Sequence, residues 1–114
     1  MLRLIPFIAA ALWCCAARAQ PDGPGEVQEG RELATKACAA CHIVRADQEQ
    51  RPTLRPPPPS FEQIAQSSKA DLESLRGFLK STHSNISHPG GMPNPQLREE
   101  EIQKISAYIR SLRK

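Results

Sequence analysis

Cys38-Ala39-Ala40-Cys41-His42 stands about a third of the way into a chain of 114 residues, and its reading decides the fold. Two cysteines three positions apart with a histidine directly after them suit three chemistries: covalent attachment of a haem, a zinc site, or disulfide exchange. In the first, the thiols add across the two vinyl groups of the porphyrin to give thioethers. The spacing puts both sulfurs on one side of a helical turn, and His42 can then turn its imidazole onto the iron. A zinc site needs two further ligands, which His83 and His88 can supply. A disulfide exchanger of the thioredoxin kind places its C-x-x-C after a strand in an alternating βα pattern, and no such strand pattern precedes Cys38.

The compartment narrows the choice. Residues 1–19 read as a cleaved secretory signal: Arg3 supplies the positive start, Leu4 to Ala17 is almost wholly apolar, and Ala17-Arg18-Ala19 closes the stretch with a cleavage pattern. An apolar run of about fourteen residues is short of the roughly twenty that span a bilayer, so no stable membrane anchor is expected. Cys14 and Cys15 leave with the signal, and only Cys38 and Cys41 remain of the four cysteines. A disulfide between residues so close in sequence would restrain little chain entropy, which points to a chemical purpose for the pair. Free thiolates are also vulnerable in an exported protein, which weighs against zinc.

Removing the signal leaves residues 20–114, enough for one domain. Of the 15 Lys and Arg, Arg3 and Arg18 depart, so 13 basic residues face 12 acidic ones. A near-balanced charge gives no support for a nucleic acid partner, which would show as a strongly basic face. Aromatics are reduced to Phe61, Phe78 and Tyr108. So thin a core would be completed by a large apolar cofactor.

Residues 20–25, rich in Pro and Gly, form a mobile leader. From Glu26 to Ala37, Val27, Gly30, Leu33, Ala34 and Ala37 recur at helical spacing, and that helix runs directly into Cys38. Gly30 weakens the helix by about 1 kcal/mol relative to alanine, either because another helix crosses closely there or incidentally. Residues 43–59 are polar and then proline-dense, ending in four prolines that forbid helix. Phe61 to Gln66 can form a short helical turn. Ser68-Lys69-Ala70-Asp71 fits a capping box and predicts a helix from about Lys69 to Lys80, with Leu72, Leu75, Phe78 and Leu79 on its apolar face. The last helix, Arg98 to Arg113, carries a stripe of Ile102, Ile105, Tyr108, Ile109 and Leu112, with acidic residues at its start and basic ones at its end. No strand pattern of useful length appears, so the expected class is all-α with long loops.

A haem iron needs a ligand opposite His42, and Met92 is the one methionine beyond the signal. It lies in a Gly and Pro loop 50 residues after His42, away from helical spacing and apolar neighbours, which favours a ligand over core filler. A thioether opposite an imidazole gives the six-coordinate iron of electron carriers and raises its reduction potential. His83 and His88 are its rivals, His88 being the better placed beside the glycine turn.

Taken together, Cys38-Ala39-Ala40-Cys41-His42, the Met92-Pro93 loop and the terminal Ala107-Tyr108-Ile109-Arg110-Ser111-Leu112 resemble class I monohaem cytochrome c of the small bacterial exported kind, over about residues 26–114. The resemblance implies three to five short helices around one covalently bound haem c and its iron, with the first and last helices crossing. It implies that a small residue on one helix, Gly30, meets an aromatic on the other, Tyr108. Ala34 stands where many relatives carry an aromatic. The resemblance also implies a proline whose carbonyl orients the proximal histidine, for which Pro59 is the best match.

The resulting expectation is a periplasmic, monomeric electron carrier with no catalytic residues. Cys38 and Cys41 attach the cofactor, His42 and Met92 ligate the iron, and Pro59 orients His42. Phe61, Leu72, Phe78, Ile105 and Ile109 make apolar haem or core contacts. Redox partner proteins, a dehydrogenase or an oxidase, would approach the thioether edge, with Arg45, Arg51, Arg55 and Lys80 as docking charges. The alternatives are a haem sensor or small catalyst with an open sixth position, and a subunit of a larger oxidoreductase.

Overall fold

The computed structural model describes residues 22–81 and 91–114. The signal segment, His83 and His88 lie outside the described residues. Four helices, and no strand, occur among the described residues: α1 (Pro24–Ala37), α2 (Phe61–Gln66), α3 (Leu72–Lys80) and α4 (Glu99–Ser111).

Helix α1 starts two residues before the predicted Glu26, inside the stretch read as a leader. Pro24 explains the shift: its fixed φ and missing N–H suit the first helical position, where that N–H has no partner in any case. The helix ends at Ala37, and the amide of Cys38 still bonds the Ala34 carbonyl at 2.8 Å. The attachment motif therefore begins as the last turn of α1 unwinds.

Helix α2 is held by a reciprocal cap at its first turn. Gln63 N donates to Ser60 Oγ at 3.1 Å, and Ser60 N donates to Gln63 Oε1 at 2.8 Å. Helix α3 departs from the prediction: it begins at Leu72, and Asp71 is its N-cap, accepting from Ser74 N at 2.9 Å. The predicted Ser68–Asp71 box does not form, because residues 67–71 make the turn between α2 and α3 and sink Ala70, 0% exposed, into the core. An Asp at the N-cap satisfies an orphan amide as well as a serine would.

Helix α4 spans Glu99–Ser111, slightly shorter than predicted, with Glu101 Oε2 accepting from Arg98 N at 2.9 Å. It is the centre of the fold and packs on each of the other three helices, most extensively on α1. At that crossing Gly30 lies under the α4 backbone, and a Cβ there would stand 1.9 Å from the Lys104 carbonyl oxygen. The close crossing, and not an incidental glycine, is thus the reason for Gly30. The three atoms nearest that Cβ all belong to the Lys104–Ile105 backbone. Lys104 also pairs with Glu29 beside the contact.

The core gathers Ala34, Val44, Phe61, Ala65, Ala70, Leu75, Ile105, Tyr108 and Ile109. Three of the nine are alanines and two are aromatic. Of the predicted apolar contacts, Phe61, Ile105 and Ile109 are buried and Leu72 is half-buried, but Phe78 is 40% exposed. The C-terminal end of α4 is tied to α2, where Gln66 Nε2 donates to the Leu112 carbonyl at 3.1 Å and Arg113 Nε to the Ala65 carbonyl at 3.1 Å.

Candidate functional site

The site grows from the end of α1. The amides of Cys41 and His42 both bond the Cys38 carbonyl, at 3.1 and 2.9 Å, closing a tight turn that contains the whole motif. Neither cysteine is in a disulfide. Cys38 is half-buried against the core, while Cys41 is exposed. Burial, and secondarily the neighbouring Cys41, push the Cys38 thiol up to about 11. The direction of that shift disfavours the thiolate, the nucleophile of disulfide exchange.

The next element, residues 42–44, runs beside residues 59–61. His42 Nδ1 is 2.7 Å from the Pro59 carbonyl oxygen, and Phe61 N donates to the Ile43 carbonyl at 2.9 Å. A carbonyl can only accept, so Nδ1 carries a hydrogen, and in the neutral imidazole Nε2 then keeps its lone pair. That is the tautomer a metal-binding imidazole needs, with its second nitrogen anchored to a carbonyl. The Phe61 ring meets His42 edge-on, with centroids 5.9 Å apart and planes at 62°, and lies 6.2 Å from the ring of Tyr108.

Tyr108 locks this arrangement to α4: its hydroxyl donates to the Val44 carbonyl at 2.6 Å. Burial pushes its phenol above the ordinary tyrosine value, so it stays a donor at neutral pH. Gln48, 9% exposed, fills the inside of the loop with hydrogen bonds to the backbone of Ala39, His42, Val44 and Gln50. Sequence reading missed Gln48, which looks like any polar loop residue, and Val44, a lone apolar position without a helical period around it.

Met92 lies half-buried in the segment leading into α4. It is not among the partly buried apolar side chains packed on the described core, unlike Leu97 five positions later. The same segment is tied to the end of α3, where Asn94 Nδ2 donates to the Lys80 carbonyl at 3.3 Å. The predicted docking charges are variously engaged. Arg45 pairs with Asp47 at 3.0 Å and Lys80 with Glu99 at 2.6 Å, while Arg51 and Arg55 are exposed and bond the Ala46 and Leu54 carbonyls.

These donors fit a haem. Two unpaired thiols on one turn can form two thioethers, and the adjoining imidazole presents Nε2 with its other nitrogen held. Among the described residues no three His, Cys, Asp or Glu side chains converge as a metal site of protein ligands alone would require. No described helix is long and apolar enough to cross a membrane.

Comparison with known proteins agrees with this chemistry. The family model described as Cytochrome c matches residues 27–113, from the first turn of α1 to the penultimate residue. A protein named Cytochrome c-552 from Bradyrhizobium diazoefficiens is 34% identical over 84 residues, covering 74% of this chain and 72% of its own length. No solved structure matches at a significant level. A match that runs through both crossing helices and the attachment turn makes the chain a member of the class I monohaem cytochrome c family, whose haem-based electron transfer rests on covalently bound haem c and its iron.

Proposed function

We propose that the protein is a periplasmic electron carrier in which Cys38 and Cys41 form the thioether links, His42 is the proximal ligand and Met92 the ligand opposite. Pro59 orients His42, and Phe61 packs on the proximal side. Residues 1–19 are the cleaved export signal, 20–25 the leader and 26–114 the cytochrome domain. The observation that carries the reading is the 2.7 Å contact between His42 Nδ1 and the Pro59 carbonyl, because it leaves Nε2 as the free donor.

When bound, the haem supplies one iron that alternates between the ferric and ferrous states. The chain's own residues govern how easily it does so. The Pro59 carbonyl draws on the Nδ1 proton and makes the imidazole a stronger donor, which stabilises the higher charge. The thioether of Met92, a soft and neutral ligand, acts in the other sense and raises the potential. Were the His42 imidazole and the Met92 thioether both to hold the iron in either oxidation state, little in the chain would have to move when an electron passed. Half-burial of Met92 outside the described core packing supports a ligand over filler. The reading is of a carrier and not of an enzyme: redox partner proteins, a dehydrogenase or an oxidase, would meet it at the edge marked by exposed Cys41.

The decisive measurement is the mass of the exported mature chain with its ferric spectrum. The wild type should carry the added mass of one haem, and Cys38→Ala/Cys41→Ala should lose it. The ferric protein should show the weak near-infrared band of sulfur ligation, and Met92→Ala should abolish it and admit small external ligands. A wild-type spectrum that is already high-spin, and unchanged by Met92→Ala, would remove Met92 from the ligand set and favour the sensor or catalyst reading.

A further inference from the structure

The attachment turn carries more backbone carbonyls than its own helix end can satisfy, and one side chain collects them. Gln48 reaches that position because the chain turns back at Arg45, with Gln48 N bonding the Arg45 carbonyl at 3.3 Å. Its Nε2 lies 2.8 Å from the Gln50 carbonyl, 3.2 Å from Ala39 and 3.3 Å from His42. Its Oε1 accepts from Val44 N at 3.0 Å. The amide orientation follows from the chemistry: three carbonyls can only accept and the Val44 N–H can only donate, so a flipped amide would turn four favourable contacts into four repulsions. With two hydrogens for three acceptors, one goes to Gln50 and the other is shared between Ala39 and His42 at their longer distances.

Three of the four partners are informative. Ala39 lies between the two cysteines, His42 is the histidine of the motif, and Val44 is the residue whose carbonyl takes the Tyr108 hydroxyl. On the far side, residues 59–61 hold His42 and Ile43. The motif is therefore gripped from two directions, by Pro59 and Phe61 at the ring side and by Gln48 at the backbone side. We propose that Gln48 is a positioning residue for the proximal ligand: its buried amide fixes the backbone of residues 39–44 and thereby holds His42 Nδ1 on the Pro59 carbonyl. This rests on the reading of His42 as that ligand. A cavity between α1 and α4 lined by Glu29, Glu32, Lys36 and Arg98 has no comparable grip on the motif.

If Gln48 holds the Nδ1 contact, removing it loosens the contact, weakens the imidazole as a donor and shifts the equilibrium toward ferrous iron. Direct partners of a metal ligand typically change affinity by about 10–100-fold. A residue acting one step further back is expected to move the ferrous-to-ferric ratio by roughly threefold. The test compares holoprotein of the wild type, Gln48→Met, which keeps length without hydrogen bonds, and Ile102→Val, a core deletion away from the motif.

The proposal expects Gln48→Met to shift the potential toward ferrous and to move the paramagnetically shifted proton signals of the His42 ring. Ile102→Val should lower the melting temperature and leave both readouts alone. If Gln48→Met lowers the melting temperature but leaves the potential and the His42 signals at wild-type values, Gln48 is structural filler and the proposal fails. A measurement on the wild type decides even if the variant does not fold. The Gln48 side-chain amide protons should exchange as slowly as buried backbone amides, and exchange at the rate of a freely solvated amide overturns the idea. Mass spectrometry separates this from the functional reading, since a chain without covalent haem sinks that reading while exchange at Gln48 still reports on the clamp.

Discussion

The crossing of α1 and α4 and the loop that carries the attachment motif each hold two segments of chain together, by opposite means. At Gly30 the helices meet because a side chain is missing, and the contact is backbone against backbone. In residues 39–48 the segments meet through side chains whose hydrogen-bonding atoms matter one by one. A steric contact of the first kind tolerates nothing added. A polar network of the second kind has several members, so losing one should weaken it and retune it without breaking the fold.

The sharpest way to break that comparison is Gly30→Ala. One methyl group placed 1.9 Å from the Lys104 carbonyl oxygen faces backbone on both sides, so no flexible side chain can give way and the helices must separate. Overpacking typically costs about 1–3 kcal/mol, occasionally more, and the expected loss here is at or beyond the upper figure. For a domain of this size that is a fall in melting temperature of roughly 12 °C or more, read by thermal unfolding of the holoprotein. A loss below about 1 kcal/mol would mean that the helices slide apart freely, and the distinction between the two regions would go with it.

Tyr108→Phe probes the second region. It keeps the ring against Phe61 and removes the hydroxyl that serves the carbonyl of Val44, a residue only 1% exposed. A lost buried hydrogen bond with an unsatisfied partner costs about 1–3 kcal/mol. The lower half of that range is expected, since a carbonyl retains some satisfaction from its surroundings more easily than an N–H does. Chemical denaturation of the two holoproteins checks it, and a cost equal to that of Gly30→Ala would show the loop to be as brittle as the crossing.

The same contrast explains what could be read from the sequence. The helices and the motif follow from periodicity and from local spacing, which one stretch of chain displays by itself, whereas spacing left Gly30 open between a crossing and an incidental glycine and the crossing was reached through family resemblance. The choice of caps was less legible: Ser60-Phe61-Glu62-Gln63 and Ser68-Lys69-Ala70-Asp71 both resemble capping boxes, and only the first forms one. The second fails because Ala70 is needed in the core, a demand set by α2, α3 and α4 together. Phe78, an aromatic on an apolar helix face, stands 40% exposed on the polypeptide: periodicity marks the face and does not say whether core or cofactor covers it. Gln48 was invisible, because its partners are backbone carbonyls, which every residue carries, brought together by a turn that no pattern announces. The Pro59 carbonyl was reached through family resemblance and not from spacing.

The smallest effect should also have the opposite sign. Ser106 is wholly buried on α4, and its Oγ finds no hydrogen-bond partner among the described residues. If polar atoms contribute in this molecule only where they are partnered, this hydroxyl costs stability by being taken from water with nothing in exchange. Ser106→Ala removes it, leaves a void smaller than a methyl group and improves helix propensity by a few tenths of a kcal/mol. The expected gain is up to about 1 kcal/mol, a rise of a few degrees in melting temperature, with the redox potential unchanged. A loss of stability would show that the Ser106 hydroxyl is engaged in the holoprotein, and would add α4 to the elements that hold the site by hydrogen bonds as well as by shape.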